Sequence, residues 1–242
     1  MAAFTDLHIH SCLSPCAHED MTPNNIVNMA LIKGLELIAV TDHNSCANCG
    51  AVMEAGKRAG LAVVPAMELC TAEEIHLLCY FPSLEAALEM QCLVYGNLLP
   101  YPNRPDIFGD QILMDSLDVE SGRETRFLAG ATTLDVREAC KRVRGLGGAP
   151  VPAHVDREAF SMVNTLGTLP QEYGFNFMEL SRSCNAPLFM NKHAELAKMK
   201  LLRNSDAHFL WDLFEKEDCA PIRAVSSAEL VDLLEKNLLG ML

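Results

Sequence analysis

The chain has 242 residues, half of them hydrophobic, and its 32 acidic side chains outweigh 19 basic ones for a formal net charge of −13. That much apolar material builds a sizeable core without disulfide staples, and the acidity disfavours a dedicated nucleic-acid groove. No apolar run reaches the ~20 residues of a membrane helix, and the N-terminus lacks the basic and apolar regions of a secretory signal. A cytoplasmic protein with no membrane partner is expected.

In chain order, short apolar runs predict strands at Ala3–Ile9, Leu35–Thr41, Ala62–Leu69, Ile75–Phe81, Gly148–His154, Phe175–Leu180 and Lys200–Ser205. Helical patterns fall between most of them. Thr22-Pro23 reads as an N-cap with Pro at the first helical position, and the run that follows ends on Gly34. Ser83 caps a second helix, Thr133 opens a third that ends on Gly145, and Asn185–Met199 and Ser226–Leu238 supply two more. Alternation of this kind predicts an α/β fold with right-handed βαβ units and a mostly parallel sheet, in one domain over residues 1–242. The stretch from about 96 to 132 has no clear period and is expected to be a loop or lid insertion.

The histidines are placed unevenly. Strand one ends in His8-Ile-His10, where residues two apart share a side, leaving Ile9 to the core. Strand two ends in Thr41-Asp-His43, strand three in Met67-Glu68, strand five in Ala153-His154, and the last strand in Ser205-Asp-Ala-His208. His18 lies in the first loop, His76 opens strand four, and only His193 falls elsewhere. In parallel α/β folds the carboxyl ends of the strands form the ligand face, so these side chains are expected to share one pocket. So many imidazoles need partners once desolvated, and a metal satisfies them together. The ten cysteines are scattered; Cys46 and Cys49 form a CxxC with Cys12 and Cys16 nearby. Reduced, packed thiols are the expectation, against a cysteine knuckle or redox pair.

These blocks together resemble the PHP (polymerase and histidinol phosphatase) family. DLHIH at Asp6–His10, CAHEDMTP ending on Pro23, TDHN at Thr41–Asn44, Pro65-Ala-Met-Glu68, EIHLL at Glu74–Leu78, Ala153-His154 and SDAH at Ser205–His208 follow the family's order. Ala66 stands where the family usually has glycine. The resemblance implies a distorted, seven-stranded TIM-like barrel holding two or three divalent ions, zinc, manganese or iron, at the C-terminal ends of the strands. Its first metal would take His8, His10, Glu68 and Asp206; its second a bridging Glu68 with His76 and His154; its third His18, His43 and His208. Many members have Asp at the position of His18, so Glu19 or Asp20 is an alternative ligand there. Asp206, Glu68 and His208 are the residues expected to carry catalysis. Asp6 and Asp42 are candidates to orient ligands from behind, and Arg157 and Arg182 to clamp a substrate phosphate. Arg104, in the insertion, is a weaker candidate of the same kind.

The implied function is hydrolysis of a phosphomonoester or nucleotide by a metal-activated hydroxide. The alternative is a 3'-5' exonuclease-like activity on single-stranded nucleic-acid ends. With few stacking aromatics apparent, nucleic acid is expected only as such short ends. An amidohydrolase also begins with HxH, but that pattern calls for a bridging lysine, and no lysine ends a predicted strand. A non-catalytic metal-binding module is the remaining reading.

Overall fold

The computed structural model describes residues 2–236. Its elements are β1 (Thr5–Ile9), α1 (Pro23–Ile32), β2 (Leu37–Val40), α2 (Cys49–Ala59), β3 (Ala62–Cys70), β4 (His76–Tyr80), α3 (Leu84–Tyr95), α4 (Pro105–Phe108), β5 (Ile112–Met114), β6 (Glu120–Arg123), α5 (Val136–Gly145), β7 (Ala149–Pro152), α6 (Met162–Leu166), β8 (Phe177–Leu180), α7 (Ala186–Lys192), β9 (Lys200–Arg203) and α8 (Ser227–Glu235). All seven predicted strands are present, and the stretch 96–132 adds α4 and the hairpin β5–β6. Among the described residues no helix is long and apolar enough to cross a membrane.

Several helix starts follow local chemistry. Ser83 accepts a hydrogen bond from the Ala86 N–H at the head of α3, and Ser226 does the same for Glu229 at α8. The third helix begins later than expected, because Asp135 rather than Thr133 accepts from the Glu138 N–H. The predicted helix at Asn185–Met199 breaks at His193 into α7 and a short 3₁₀ turn. Positions 237–238 of the last predicted helix lie outside the described residues.

The sheet departs from the mostly parallel expectation. Strands β1, β2 and β3 pair in parallel, but β4 runs antiparallel to both β3 and β7, and β8 and β9 form a separate parallel pair. The result is a curled, five-stranded half-barrel, not a closed ring of seven paired strands. Between β7 and β8, the Val155 N–H reaches Glu179 O; after β9, bonds link His8 and His10 with Ala207. Pairing stops there because His154 and Asp206 adopt left-handed backbone angles (φ 28° and 54°) that turn the chain out of the pleat.

One apolar cluster fills the concave side of the sheet with Leu7, Leu37, Val64, Leu78 and Val151, and α8 closes it with Leu230 and Leu234. Burying both faces explains why β2 reads as the unbroken run LIAV. Tyr80 spans this interior to donate to Leu7 O at 3.0 Å. Ile9 faces outward, into the layer beneath α1 and α2.

The insertion is fastened to the loop after β1 and to α1. Asp118 accepts from the Thr22 hydroxyl and the Asn24 N–H, supplying the cap that Thr22 itself does not. Asn48 bonds Ile112 O and the Met114 N–H. At Gly109 (φ 96°) the backbone presses on the Pro15 carbonyl so closely that no Cβ fits.

Candidate metal centre

The reversed direction of β4 explains an otherwise awkward residue. His76 is the first residue of its strand, yet it pairs with Cys70, the last residue of β3. Its imidazole therefore joins those from the strand ends. Around one point stand His8 from β1 and His10 just after it, Glu68 from β3, and Asp206 from the turn after β9. His43, His76, His154 and His208 surround them.

The hydrogen bonds behind the imidazoles fix their protons. His8 donates from Nδ1 to the Glu179 carboxylate, at 3.0 and 3.1 Å. The Ser14 hydroxyl gives its single proton to Asp42 at 2.7 Å, so it accepts from His10 Nδ1 at 2.9 Å. His208 donates from Nδ1 to the Asp206 carbonyl at 2.9 Å. In its neutral form each of the three rings is thus left with an unprotonated Nε2 for the cavity.

Between neutral rings and carboxylates this is a conflict that a metal cation, or in its absence ring protons, resolves. His8 Nε2 and His10 Nε2 lie 3.2 Å apart, each 3.2 Å from Asp206 Oδ1, and Glu68 oxygens stand 3.4 Å from both. All are lone-pair donors to a metal and none has a proton to share. Asp206 Oδ1 is buried without a hydrogen-bond partner. A tetrahedral ion with bonds of about 2.0–2.1 Å spaces its ligand atoms about 3.3–3.4 Å apart. The observed separations match that edge length, so these four residues fit a metal ion.

Glu68 also serves the neighbouring positions. Its Oε1 lies 2.9 Å from His76 Nδ1 and 3.0 Å from His154 Nε2, while Oε2 lies 3.1 Å from His43 Nδ1. Burial alone would raise its pKa, but the imidazoles, led by His76 and His8, hold it well below the usual carboxylate range. Burial likewise opposes ionisation of Asp206, and His8 and His10 overcome it. Burial pushes His76 down to about 4, keeping that ring neutral.

The third predicted set is only partly assembled. His10, His43 and His208 come together, but His18 does not join them. His18 is 41% exposed, and its Nδ1 faces the backbone N–H and carboxylate of Asp20. Glu19 and Asp20 are exposed. Elsewhere on this loop, burial would push the Cys16 thiol up, but the His43 and His208 rings draw it down to about 5. Cys46 and Cys49 point away, each donating to Ala66 O, and Cys12 is turned to Ile112 O. All ten thiols are free, and the four do not form a knuckle.

Of the two outer carboxylates, Asp42 orients His10 through Ser14 and also holds Ser11. Asp6 instead pins the ligand loop, accepting from the Ser205 and Phe214 N–H groups. Sequence reasoning missed Glu179, which binds His8, the His154 N–H and Asn204 from inside the core. A signal existed: Met-Glu-Leu occurs at 67–69 around Glu68 and again at 178–180.

A cavity of about 450 Å³ opens over this cluster, walled in part by Arg157 and Phe160. Arg157, 44% exposed, holds Asp206 Oδ2 at 2.7 Å. Phe160 stacks on His76 with ring centres 4.5 Å apart. Arg182 does not line the cavity; it donates to Asp212 O and lies near Phe214. Arg104 pairs with Asp106 on the surface, and no residue of 96–132 is among those lining the cavity.

Comparison with known proteins follows the same lines. No curated protein sequence matches the chain. Among solved structures, the lesion-specific endonuclease EndoQ from Pyrococcus furiosus superposes with a TM-score of 0.69 at 20% identity, over 97% of this chain and 56% of its own. The chain thus spans little more than half of that enzyme. A protein from Bifidobacterium adolescentis assigned as a metal-dependent phosphoesterase gives 0.61 at 18% identity over 98% of both chains. An amidohydrolase from Chromobacterium violaceum, solved with sulfate and no metal, gives 0.58 at 17% over 93% of both. At such identities the likeness is one of fold. The sequence pattern of the PHP domain matches residues 6–144, more than half of the chain, which includes the DLHIH, TDHN, Glu68 and EIHLL blocks. The chain belongs to the PHP domain family.

Proposed function

We propose that the protein is a metal-dependent phosphoesterase working at this mouth. The observation that carries the reading is the trio His8 Nε2, His10 Nε2 and Asp206 Oδ1 at 3.2 Å from one another, with a Glu68 oxygen 3.4 Å from each imidazole and the Arg157 guanidinium beside them. His8, His10, Glu68 and Asp206 would hold a first ion, and Glu68 with His76 and His154 would offer ligands to a second. Divalent ions there supply positive charge for phosphoryl oxygens and lower the pKa of water towards neutrality. The chain's own part is positional. Glu179 and Ser14 keep His8 and His10 aimed, Asp6 fixes the turn carrying Asp206, and Arg157 offers a planar fork to a phosphate. Arg157 already pairs with Asp206, so an incoming phosphate exchanges one anionic partner for another.

A small phosphomonoester or nucleotide fits the roughly 450 Å³ cavity. A second reading, cleavage at a single-stranded nucleic-acid end, gains from two observations. The expectation that stacking aromatics are lacking does not survive folding: Phe160 stands 43% exposed on the cavity wall, and Phe209 stacks on Trp211 just beyond His208. The likeness to a DNA-lesion endonuclease also removes support for treating nucleic acid as an improbable partner.

The test is a hydrolysis screen on metal-reconstituted protein, reading phosphate released from mononucleotides and shortened products from single-stranded oligomers, with Asp206→Ala as control. Phosphate-ester turnover that is lost in the variant is expected. Equal turnover by both proteins would sink the site assignment, and turnover of amides or lactones alone would favour an amidohydrolase.

A further inference from the structure

We infer that Phe160 is a specificity-determining residue of this mouth: its open ring face stacks on a planar ring carried by the substrate. The phosphate esters accepted are then those whose organic part bears such a ring. The inference rests on the phosphoesterase reading of the site and adds to it the class of substrate.

The rest of the cavity offers little to an apolar group. Apart from Ala159 and Phe160, every residue lining it is charged or an imidazole. Those groups suit metal ions and a phosphoryl group, and they leave the organic part of a substrate one apolar surface of any size. Phe160 covers the His76 ring with one face, the two planes 19° apart, yet the residue is 43% exposed. Its exposure therefore belongs to the second face and the edge, on the wall of the cavity. A ligand ring laid there continues the stack that His76 begins.

A single exposed phenylalanine is ordinary on a protein surface, but this one is held in place. Phe160 has φ 57°, a left-handed angle unfavourable to a bulky side chain, and His154 has another at the start of the same loop. Between them the chain is pinned three ways. Asp156 accepts from the Ser181 N–H and hydroxyl at 2.7 and 2.6 Å, and the Ser161 hydroxyl donates to Val155 O at 2.6 Å. The His76 N–H bonds Phe160 O at 3.0 Å. The same segment carries Arg157, whose guanidinium sits on Asp206. One braced loop thus presents a fork for the phosphate and a flat apolar face for the group attached to it. Holding both in advance spares a ligand the cost of ordering them.

The experiment measures binding of non-hydrolysable phosphonates to manganese(II)-loaded protein by calorimetry, so that no turnover is needed. Phenylphosphonate is compared with cyclohexylphosphonate, which is of similar size but has no planar face. Adenosine 5'-methylenephosphonate is compared with the same compound lacking its base. Wild type is expected to favour the planar member by about fivefold in at least one pair. The first pair reads a ring attached directly to the phosphorus, the second a nucleobase held one sugar away. Phe160→Leu keeps an apolar cover over His76 and should reduce the preference to within about twofold, whereas Phe160→Tyr should retain it. Equal binding within both pairs by wild type overturns the inference and leaves the phosphoesterase reading in place. A preference that survives in Phe160→Leu does the same, since Phe160 then only shields His76. If the loaded wild type binds none of the four compounds, the phosphoesterase reading fails and this inference falls with it.

Discussion

At the inner corner of the mouth, His8 and His10 are backed by acceptors that hold their protons on Nδ1, and every contributing side chain is buried. At the rim, His208 leans on a backbone carbonyl and His18 points away. The inner ligands are therefore set before any ion arrives, whereas the rim ligands sit on a loop whose main restraint is a few backbone bonds. A site of this kind should bind its inner ion tightly and its rim ion weakly, because only the inner one meets no cost of ordering its ligands.

The largest effect is expected from Glu68, which touches five imidazoles. Glu68→Gln should reduce bound metal at both inner positions and bring phosphate release to background, as followed by metal analysis and assay. Retention of the full metal complement would contradict the shared-carboxylate geometry. Next comes Glu179→Gln, which keeps shape but loosens His8. Loss of a carboxylate behind a metal-bound histidine costs about 10–100-fold in metal affinity, measurable by competition with a chelator. The rim counterpart, His18→Ala, should leave affinity within about twofold, and a larger effect would erase the contrast between the corners. Arg157→Ala should raise KM about tenfold with a smaller change in kcat, as for one lost charge-assisted contact to a bound phosphate. Arg182→Ala, away from the cavity, should do neither.

Protons offer a finer probe of the same contrast. Burial works against charged imidazoles at His8 and His43, but facing anions outweigh it: Glu179, Asp206 and Glu68 at His8, Cys16 and Glu68 at His43. Both are held well above the ordinary imidazole value of about 6.5. Their charged forms stabilise the metal-free fold below that value, and the contribution is lost as pH rises through their raised values. A metal ion replaces those protons. Loading at pH 7 should release protons, seen as a buffer-dependent heat in calorimetry, and affinity should fall with falling pH. A buffer-independent heat would show that the rings are already neutral.

Much of this was legible in the sequence because strand ends are marked twice, by the apolar run that stops and by the polar residue that follows. His8, His43, Glu68 and His154 were found in that way. Direction was not legible, since an apolar run such as HLLCY reads equally well from either end; hence His76 looked misplaced until β4 was found antiparallel. Glu179 escaped because a charge within a short strand reads as its solvent face, and only the half-barrel buries it. Phe160 escaped for a different reason: its position depends on a loop path set by contacts distant in sequence, such as the bond from the His76 N–H to Phe160 O. The aromatics at the mouth were scattered along the chain and assembled by the fold.

The reversal of β4 also bears on how the chain acquires its centre as it folds. Glu68 and His76 are only eight residues apart and joined by a hairpin, whereas Glu68 and His154 are 86 apart. Local pairings close at small entropic cost and ahead of distant ones. The shared carboxylate and one imidazole thus meet in a nascent hairpin, as His8 and His10 meet at the end of one strand, and an ion that joins these two fragments would act as a tether across the unfolded chain, hastening the association of β1 with β3.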